Sequence, residues 1–446
     1  MLRLLALLNG AMGVKTQKPV FVTLALLSFW ISGLIVLDVL NADYFSVTLF
    51  LLGVFLALEG VIGLIALIVS SAGRCWSDLV KATVLILLGV GMASSPQQQE
   101  SVLLLLAIVF LADGVLCMFF AVVMRYWRWY QRMLQDIIQI AVGLFILLEE
   151  PPHFSYMIFP LYLAFQLMLL AINFLRLSWQ ISRLPDNTSV TTLPMFAVYG
   201  TRRPRPWRYH HPASQSSASQ SPLIINIWMP VGSTWVTRCF PLLNRWVFAI
   251  DHKGMVSTGH ISLEKGNEFY ISHYPKDDID FSAGDFIRAL RADEKFDVHG
   301  HYRFSLPEDI AEYSTPYRKL EVPYYNEEAL DNYWAMATKA PRYNPASFNC
   351  ASSAVMALDV AIEGVLADRG IAIYLLLLDS NFWLLYLLRS HAESMAWTPG
   401  SAMDYISLLN RLTDPHYRHV WISHIATIFR WIKGECSSSA GEGAND

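Results

Sequence analysis

The chain has 446 residues, 54% of them hydrophobic and only 16% charged, with a formal net charge of −4. This composition is too apolar for an ordinary soluble protein, and the length is enough for two or three domains. The five cysteines have no paired spacing. This pattern excludes a disulfide framework and is typical of a reducing compartment.

The apolar excess lies in the first 180 residues, where most stretches are long enough to cross ~30 Å of hydrocarbon as helices. The third and fifth stretches are shorter. A cleavable signal peptide is not expected, because no small-residue cleavage site follows the first stretch. The six stretches cover residues 19–40, 46–70, 79–95, 101–124, 134–150 and 155–176.

Basic residues occur only in alternate loops of this region, and the intervening loops carry acids alone. By the positive-inside rule, the N-terminus and everything after residue 180 face the cytoplasm. We therefore expect a multi-pass protein of the bacterial inner membrane. The basic residues are Arg3, Lys15, Lys18, Arg74, Lys81, Arg125, Arg128, Arg132, Arg176 and Arg183.

The even-numbered apolar stretches repeat a polar residue at similar positions. Glu59, Asp113 and Gln166 are separated by 54 and 53 residues. A repeat of this length predicts three helical hairpins, each with one buried polar group. Acids inside a membrane are costly and mark functional sites by default, although hydrogen bonds that hold helices together explain them equally well.

Glycines also precede prolines at helix ends, with Gly89 and Gly91 before Pro96 and Gly143 before Pro151. With the three hairpins, this pattern resembles the HdeD-like family of bacterial membrane proteins over about residues 15–180. The resemblance implies a six-helix transmembrane bundle over residues 1–183 that acts as an anchor or a sensor.

Residues 184–222 are rich in Pro, Ser and Gln and predict a flexible linker. Arginines interleave with aromatic residues there, as in segments that lie on anionic lipid headgroups at ~1 kcal/mol per basic residue. RNA binding and a merely solvated linker are the alternatives. The four arginines are Arg202, Arg203, Arg205 and Arg208.

The segment GHISLEKGNEFYISHYP predicts a β-hairpin with Gly266-Asn267 at a two-residue turn. In that register Lys265 faces Glu268 and His260 lies directly opposite His273. Opposed residues have Cβ atoms ~5 Å apart. The two imidazoles are therefore expected to be neighbours, one orienting the other.

Cys350 follows Asn349 and begins a predicted helix whose next four residues are small. A cysteine in the first helical turn lies at the positive end of the helix dipole, which favours the thiolate. The free N–H groups there also suit an oxyanion. A lone cysteine on a helix is more often a core residue, but its combination with paired histidines indicates a catalytic site.

These residues resemble the circularly permuted papain-like enzymes of the NlpC type, including the lecithin:retinol acyltransferase-like families. The resemblance covers about residues 222–412 and implies an α+β papain-like domain with an antiparallel sheet, here placed at 223–433 before a disordered tail at 434–446. It implies that His260 is the general base, His273 orients it and Cys350 is the nucleophile. Asn349 and Tyr343 are expected to support the site.

The acyltransferase members commonly have Glu-His after the Asn-Cys pair, where this chain has Ala351-Ser352. Peptidase, amidase and thioesterase chemistry therefore stay open beside acyl transfer. A zinc site is the weaker alternative, because no C-x-x-C or H-E-x-x-H spacing accompanies the scattered histidines. No cofactor is expected. Those histidines are His299, His301, His416, His419 and His424.

Two further segments bear on the cleft. A short helix is predicted over Glu327–Ala337 and brings Tyr333 and Trp334. Residues 371–390 are apolar but interrupted at residues 379–381, so each half is too short to span a bilayer. We expect these halves to cover the core or to enter the bilayer surface; a buried pair of core helices is the alternative.

The sequence therefore predicts a membrane-anchored thiol hydrolase or acyltransferase that acts on a lipid or membrane-proximal protein. Membrane lipids and an acyl substrate are the expected partners, with no specific nucleic acid; the oligomeric state is left open. One alternative is a non-catalytic stress or acid-resistance protein with a binding tail. Another is an amidase toxin that attacks peptidoglycan.

Overall fold

The computed structural model describes residues 1–41, 47–69, 76–94, 96–126, 129–149, 155–185, 188–196, 218–229, 249–250, 256–266, 269–276, 290–313, 315–337 and 342–414. The arginines predicted to contact lipid headgroups lie outside these ranges. So do the histidines after residue 414 and the predicted tail.

The first part of the chain is helical. Five of its described helices are long and apolar enough to cross a membrane, and the segment Leu79–Ala93 is a shorter apolar helix. The helices are α1 Leu2–Thr16, α2 Lys18–Asn41, α3 Val47–Val69, α4 Trp76–Ala93, α5 Pro96–Met124, α6 Trp129–Leu148 and α7 Ser155–Ile181.

These helices pack in pairs, α3 with α4, α5 with α6 and α2 with α7. Each pair contains one of the three repeated polar residues, but the third pair joins the two ends of the region and is not a hairpin. Glu59 is buried and Asp113 is partly buried, whereas Gln166 is exposed. The prediction that Gln166 is buried is wrong, because α7 packs through Ala164 and Phe174 on another face.

Helix α1 packs in one core with the second half of the chain and with the membrane helices α2 and α7. The carbonyls of Leu7 and Leu8 accept hydrogen bonds from the N–H groups of Gly364 and Leu366 at 2.8 and 2.9 Å. Part of the predicted flexible linker joins the same core: residues 188–196 include the buried Val190, Leu193 and Phe196. Their apolar side chains are stabilised by burial there.

The second half contains a six-stranded sheet of order β7-β1-β4-β5-β6-β8, and every pair of neighbours is antiparallel. The antiparallel sheet predicted from the sequence is thereby confirmed, although its first strand begins inside the predicted linker. The strands are β1 Ala218–Trp228, the short pair β2 Ala249–Ile250 and β3 Val256–Ser257, β4 His260–Lys265, β5 Phe269–Pro275, β6 Val298–Arg303, β7 Arg318–Tyr324 and β8 Arg342–Tyr343.

Helices cover the sheet, and the predicted helix Glu327–Ala337 is confirmed with the same bounds. The apolar face of the sheet, with Ile227, Leu263 and Ile271, packs in one core with the helix that Cys350 begins. The helices are α8 Leu306–Tyr313, α9 Glu327–Ala337, α10 Cys350–Ala361, α11 Ser380–Met395 and α12 Pro399–Thr413, with a 3₁₀ segment at Ala367–Leu378.

The hairpin register differs from the predicted one by one residue. Lys265 pairs with Phe269 instead of Glu268, so three residues separate the paired positions, and Gly266 enters the loop with a φ of 48° that favours glycine. Continuing this register places His260 opposite Tyr274, and the two rings stack with their centroids 4.3 Å apart. The prediction that His260 lies opposite His273 is therefore wrong, because a shift of one residue moves a side chain to the other face.

Candidate active site

Cys350 occupies the first position of helix α10, and Asn349 caps that helix. The Asn349 side-chain oxygen accepts a hydrogen bond from the Ser352 N–H at 2.9 Å, and the Ser352 hydroxyl accepts one from the Asn349 N–H at 2.8 Å. This capping box holds the first turn in place. The N–H groups at the first two helical positions, those of Cys350 and Ala351, have no acceptor within the helix.

The Asn349 amide also anchors this helix start to its surroundings. Its NH₂ group donates to the carbonyls of Pro345 and Trp397, both at 2.9 Å. The preceding loop is fixed by Asn344, whose side-chain oxygen accepts from the N–H groups of Ala346 and Ser347. The position of Cys350 thus depends on polar contacts to two separate segments.

His260 lies at the beginning of β4 and is linked through the Ser272 hydroxyl to the buried carboxylate of Asp309. Its Nε2 is 2.8 Å from the Ser272 hydroxyl, and that hydroxyl donates to Asp309 Oδ2 at 2.7 Å. Because the only proton of the Ser272 hydroxyl goes to Asp309, Ser272 accepts from the His260 Nε2–H. The lone pair of a neutral His260 is then on Nδ1.

Asp309 is fully buried in α8 and accepts hydrogen bonds from several donors. The hydroxyls of Tyr270 and Tyr274 donate at 2.6 and 3.0 Å, and Arg303 donates at 3.3 Å. Burial alone would raise the pKa of Asp309, but the bonds and charge of His260 and the hydroxyl donors lower it to about 2. Asp309 is therefore ionised at neutral pH.

Both Cys350 and Asp309 raise the pKa of His260. Burial would lower the pKa of His260, but the negative charge of a Cys350 thiolate, the bonds to Asp309 and Cys350 and the charge of Asp309 raise it to about 9. The pKa of His260 therefore favours an imidazolium at neutral pH. A histidine next to a cysteine is the pairing found at cysteine nucleophiles.

His273 lies on the opposite face of the sheet, against α10. Its Nδ1 is 2.8 Å from the Ser353 hydroxyl, and its ring stacks on Tyr302 with centroids 4.7 Å apart. Burial lowers the pKa of His273 to about 3, so it is neutral at physiological pH. A Cβ on Gly300 would come within 2.6 Å of its Nε2, which makes glycine necessary there.

Tyr343 contacts this second histidine: its ring meets that of His273 edge-on, with ring centroids 5.0 Å apart. Sequence reasoning missed Ser272 and Asp309, which lie 2.8 and 3.6 Å from His260 Nε2. Ser272 follows from the correct register, because it alternates with Tyr270 and Tyr274 on the His260 face. Asp309 belongs to a helix after β6, and no local pattern connects it to the hairpin.

The loop that precedes Cys350 packs against the end of the apolar helix α5. Met124 and Phe120 of α5 form one buried cluster with Ala292 and Ala346, and the Ala292 N–H donates to the Met124 carbonyl at 2.9 Å. Cys350 follows four residues after Ala346. The site is thus adjacent to the membrane helices.

The interruption predicted at residues 379–381 is confirmed, since the 3₁₀ segment Ala367–Leu378 and α11 meet at an angle of 82°. This bent pair also contacts the membrane helices. Lys81 donates to the Asn381 side-chain oxygen at 2.8 Å, and Glu59 lies beside Ser380. Its exposed apolar side chains are Ile371, Leu375, Leu378, Trp383, Leu384 and Leu387.

Searches of protein-family models, curated proteins and solved structures find no match to this chain. The chemistry of the site is therefore argued from its own geometry. Separately from this site, Asp113, Cys117 and His391 bring three potential metal-ligand atoms within 4.8 Å of one another.

Proposed function

We propose that the protein is a membrane-anchored cysteine hydrolase or acyltransferase. The observation that carries this proposal is the connection of Cys350, at a capped helix start, to His260, whose Nε2 is held by Ser272 and Asp309. Nucleophile, base and orienting carboxylate come from three distant segments. This arrangement supports the assignment of a nucleophile–base–acid triad.

In this mechanism His260 takes the proton of the Cys350 thiol, and Asp309 stabilises the resulting imidazolium. The thiolate forms a C–S bond to a substrate carbonyl, whose oxygen accepts hydrogen bonds from the N–H groups at the start of α10. When the tetrahedral intermediate collapses, His260 returns the proton to the leaving group. Water or another acceptor then attacks the thioester and releases the acyl group.

The resemblance to NlpC-type enzymes supports the nucleophile and base, and Ser272 and Asp309 replace His273 in the orienting role. Ala351-Ser352 in place of Glu-His leaves amide, ester and thioester substrates open. The contact of Ala346 and Ala292 with α5 favours a lipid or a membrane-proximal protein as the substrate. We place the enzyme in a bacterial inner membrane with both termini cytoplasmic, as the loop charges indicate.

Labelling with an acyl-based thiol probe tests the proposal. Cys350→Ala should abolish labelling of the full chain in membranes, and His260→Ala should suppress it at neutral pH. Cys436→Ser removes another thiol of the chain and should label normally. Unchanged labelling of Cys350→Ala would refute the assignment, and lipid and peptide profiling of wild type against Cys350→Ser would identify the bond.

A second function is favoured by the burial of Cys350 and His260, which are only 7% and 3% exposed. In this alternative the HdeD-like membrane part serves a stress response and the second half binds a partner without catalysis. A growth or lipid phenotype on overexpression that persists in Cys350→Ser would favour binding. Loss of the phenotype in that variant would favour catalysis.

A further inference from the structure

A group of three metal-ligand side chains lies between the membrane helix α5 and helix α11. Asp113 and Cys117 are one helical turn apart and therefore share a face of α5. His391 reaches them from α11, and its Nε2 is 2.6 Å from Asp113 Oδ1. Cys117 Sγ is 3.8 Å from the same oxygen. No local sequence pattern predicts this group, because His391 comes 274 residues after Cys117.

The hydrogen bonds around these side chains orient them as ligands. The Leu387 carbonyl lies 3.1 Å from His391 Nδ1 and accepts its proton, which leaves the lone pair of a neutral imidazole on Nε2. Gln139 of α6 donates to Asp113 Oδ2 at 2.8 Å and turns Oδ1 toward His391. Backbone and amide partners of this kind fix the ligands of metal sites.

His391 Nε2 and Asp113 Oδ1, 2.6 Å apart, share a proton when no metal is bound. A metal bound to both atoms at ~2.0–2.2 Å would replace this proton and lie to one side of the line that joins them. Nitrogen, sulfur and carboxylate oxygen together suit Zn²⁺, whereas Mg²⁺ and Ca²⁺ prefer oxygen alone. Arg132 lies close to Cys117, but its charge is balanced by Asp136, with Nε and Oδ1 3.0 Å apart. The surroundings therefore do not exclude a cation.

We propose that Asp113, Cys117 and His391 bind a Zn²⁺ ion that joins α5 to α11. Three protein ligands leave a fourth position for water or another ligand. The site is separate from Cys350, but α11 leads directly to Trp397, whose carbonyl accepts the Asn349 amide. Zinc binding therefore holds the segment that anchors the start of the Cys350 helix.

Metal analysis of the purified full chain tests this proposal. Wild type, stripped with a chelator and titrated with Zn²⁺, should take up about one zinc per chain. Cys117→Ser should lose this zinc while leaving the His391–Asp113 hydrogen bond possible, so this variant separates a metal from a proton. His301→Gln and Cys350→Ser change the same residue types elsewhere and should bind zinc normally.

Substitution with Co²⁺ gives a second readout, because thiolate ligation adds a charge-transfer absorption that Cys117→Ser should lack. Thermal melting of each variant without metal shows that it is folded. Zinc uptake by Cys117→Ser equal to that of wild type would overturn the proposal. So would a folded wild type that binds no zinc.

Discussion

Replacing Asp309 by Asn tests which residue orients the catalytic base. The change removes the buried negative charge next to His260 while keeping the size of the side chain. An amide offers one acceptor oxygen to the hydroxyls of Tyr270, Ser272 and Tyr274, where the carboxylate offers two. Some loss of thermal stability is therefore expected, and the reactivity assay is run well below the melting temperature.

The pKa of His260 sets the size of the effect. Its rise from 6.5 to about 9 corresponds to ~3 kcal/mol in favour of the imidazolium. Cys350 and Asp309 share this effect against the opposing cost of burial. Removing the Asp309 charge should therefore cost about 1–3 kcal/mol, or about 5- to 150-fold in the rate of thiol alkylation at pH 7.

The assay is the rate of iodoacetamide modification at Cys350, followed by mass spectrometry between pH 5 and 9. Asp331→Asn is the matched control, because that carboxylate pairs with Lys265 at 2.8 Å, away from His260. His273→Asn should alkylate at close to the wild-type rate. A wild-type rate in Asp309→Asn, or a larger loss in His273→Asn, would refute the reasoning.

Two further substitutions test buried polar groups in the second half of the chain. Burial raises the pKa of Glu363 from 4.5 to about 7; the stability this contributes is complete below pH 4.5 and lost as pH rises through 7. The free energy of unfolding of Glu363→Gln should therefore exceed that of wild type by up to ~3 kcal/mol at pH 8 and equal it at pH 4.5. Equal pH profiles of the two proteins would contradict this. Asn349→Ala should lower the free energy of unfolding by about 1–2 kcal/mol, whereas Asn349→Ser should restore the cap but not the bonds to Pro345 and Trp397. Chemical denaturation with Cys350 labelling checks this second prediction, and equal behaviour of the two variants would contradict it.

Local patterns in the sequence were enough to predict several elements of this protein. Apolar length predicted the membrane-spanning helices, and helical spacing predicted Glu327–Ala337 with its correct ends. The spacing of apolar residues after Cys350 predicted the helix that it begins, because this spacing depends on residues within a few turns. The break near Asp379 also followed from polar residues inside an apolar run. Each of these features depends on neighbours in the chain.

Tertiary structure decided the remaining features, since they depend on residues far apart in sequence. One additional loop residue after Lys265 moved His273 to the other face of the sheet and brought Ser272 to His260. Asp309 reaches His260 only because α8 folds onto that face. Helix α1 is apolar like the spans, and only its packing shows that it shares a core with the second half of the chain.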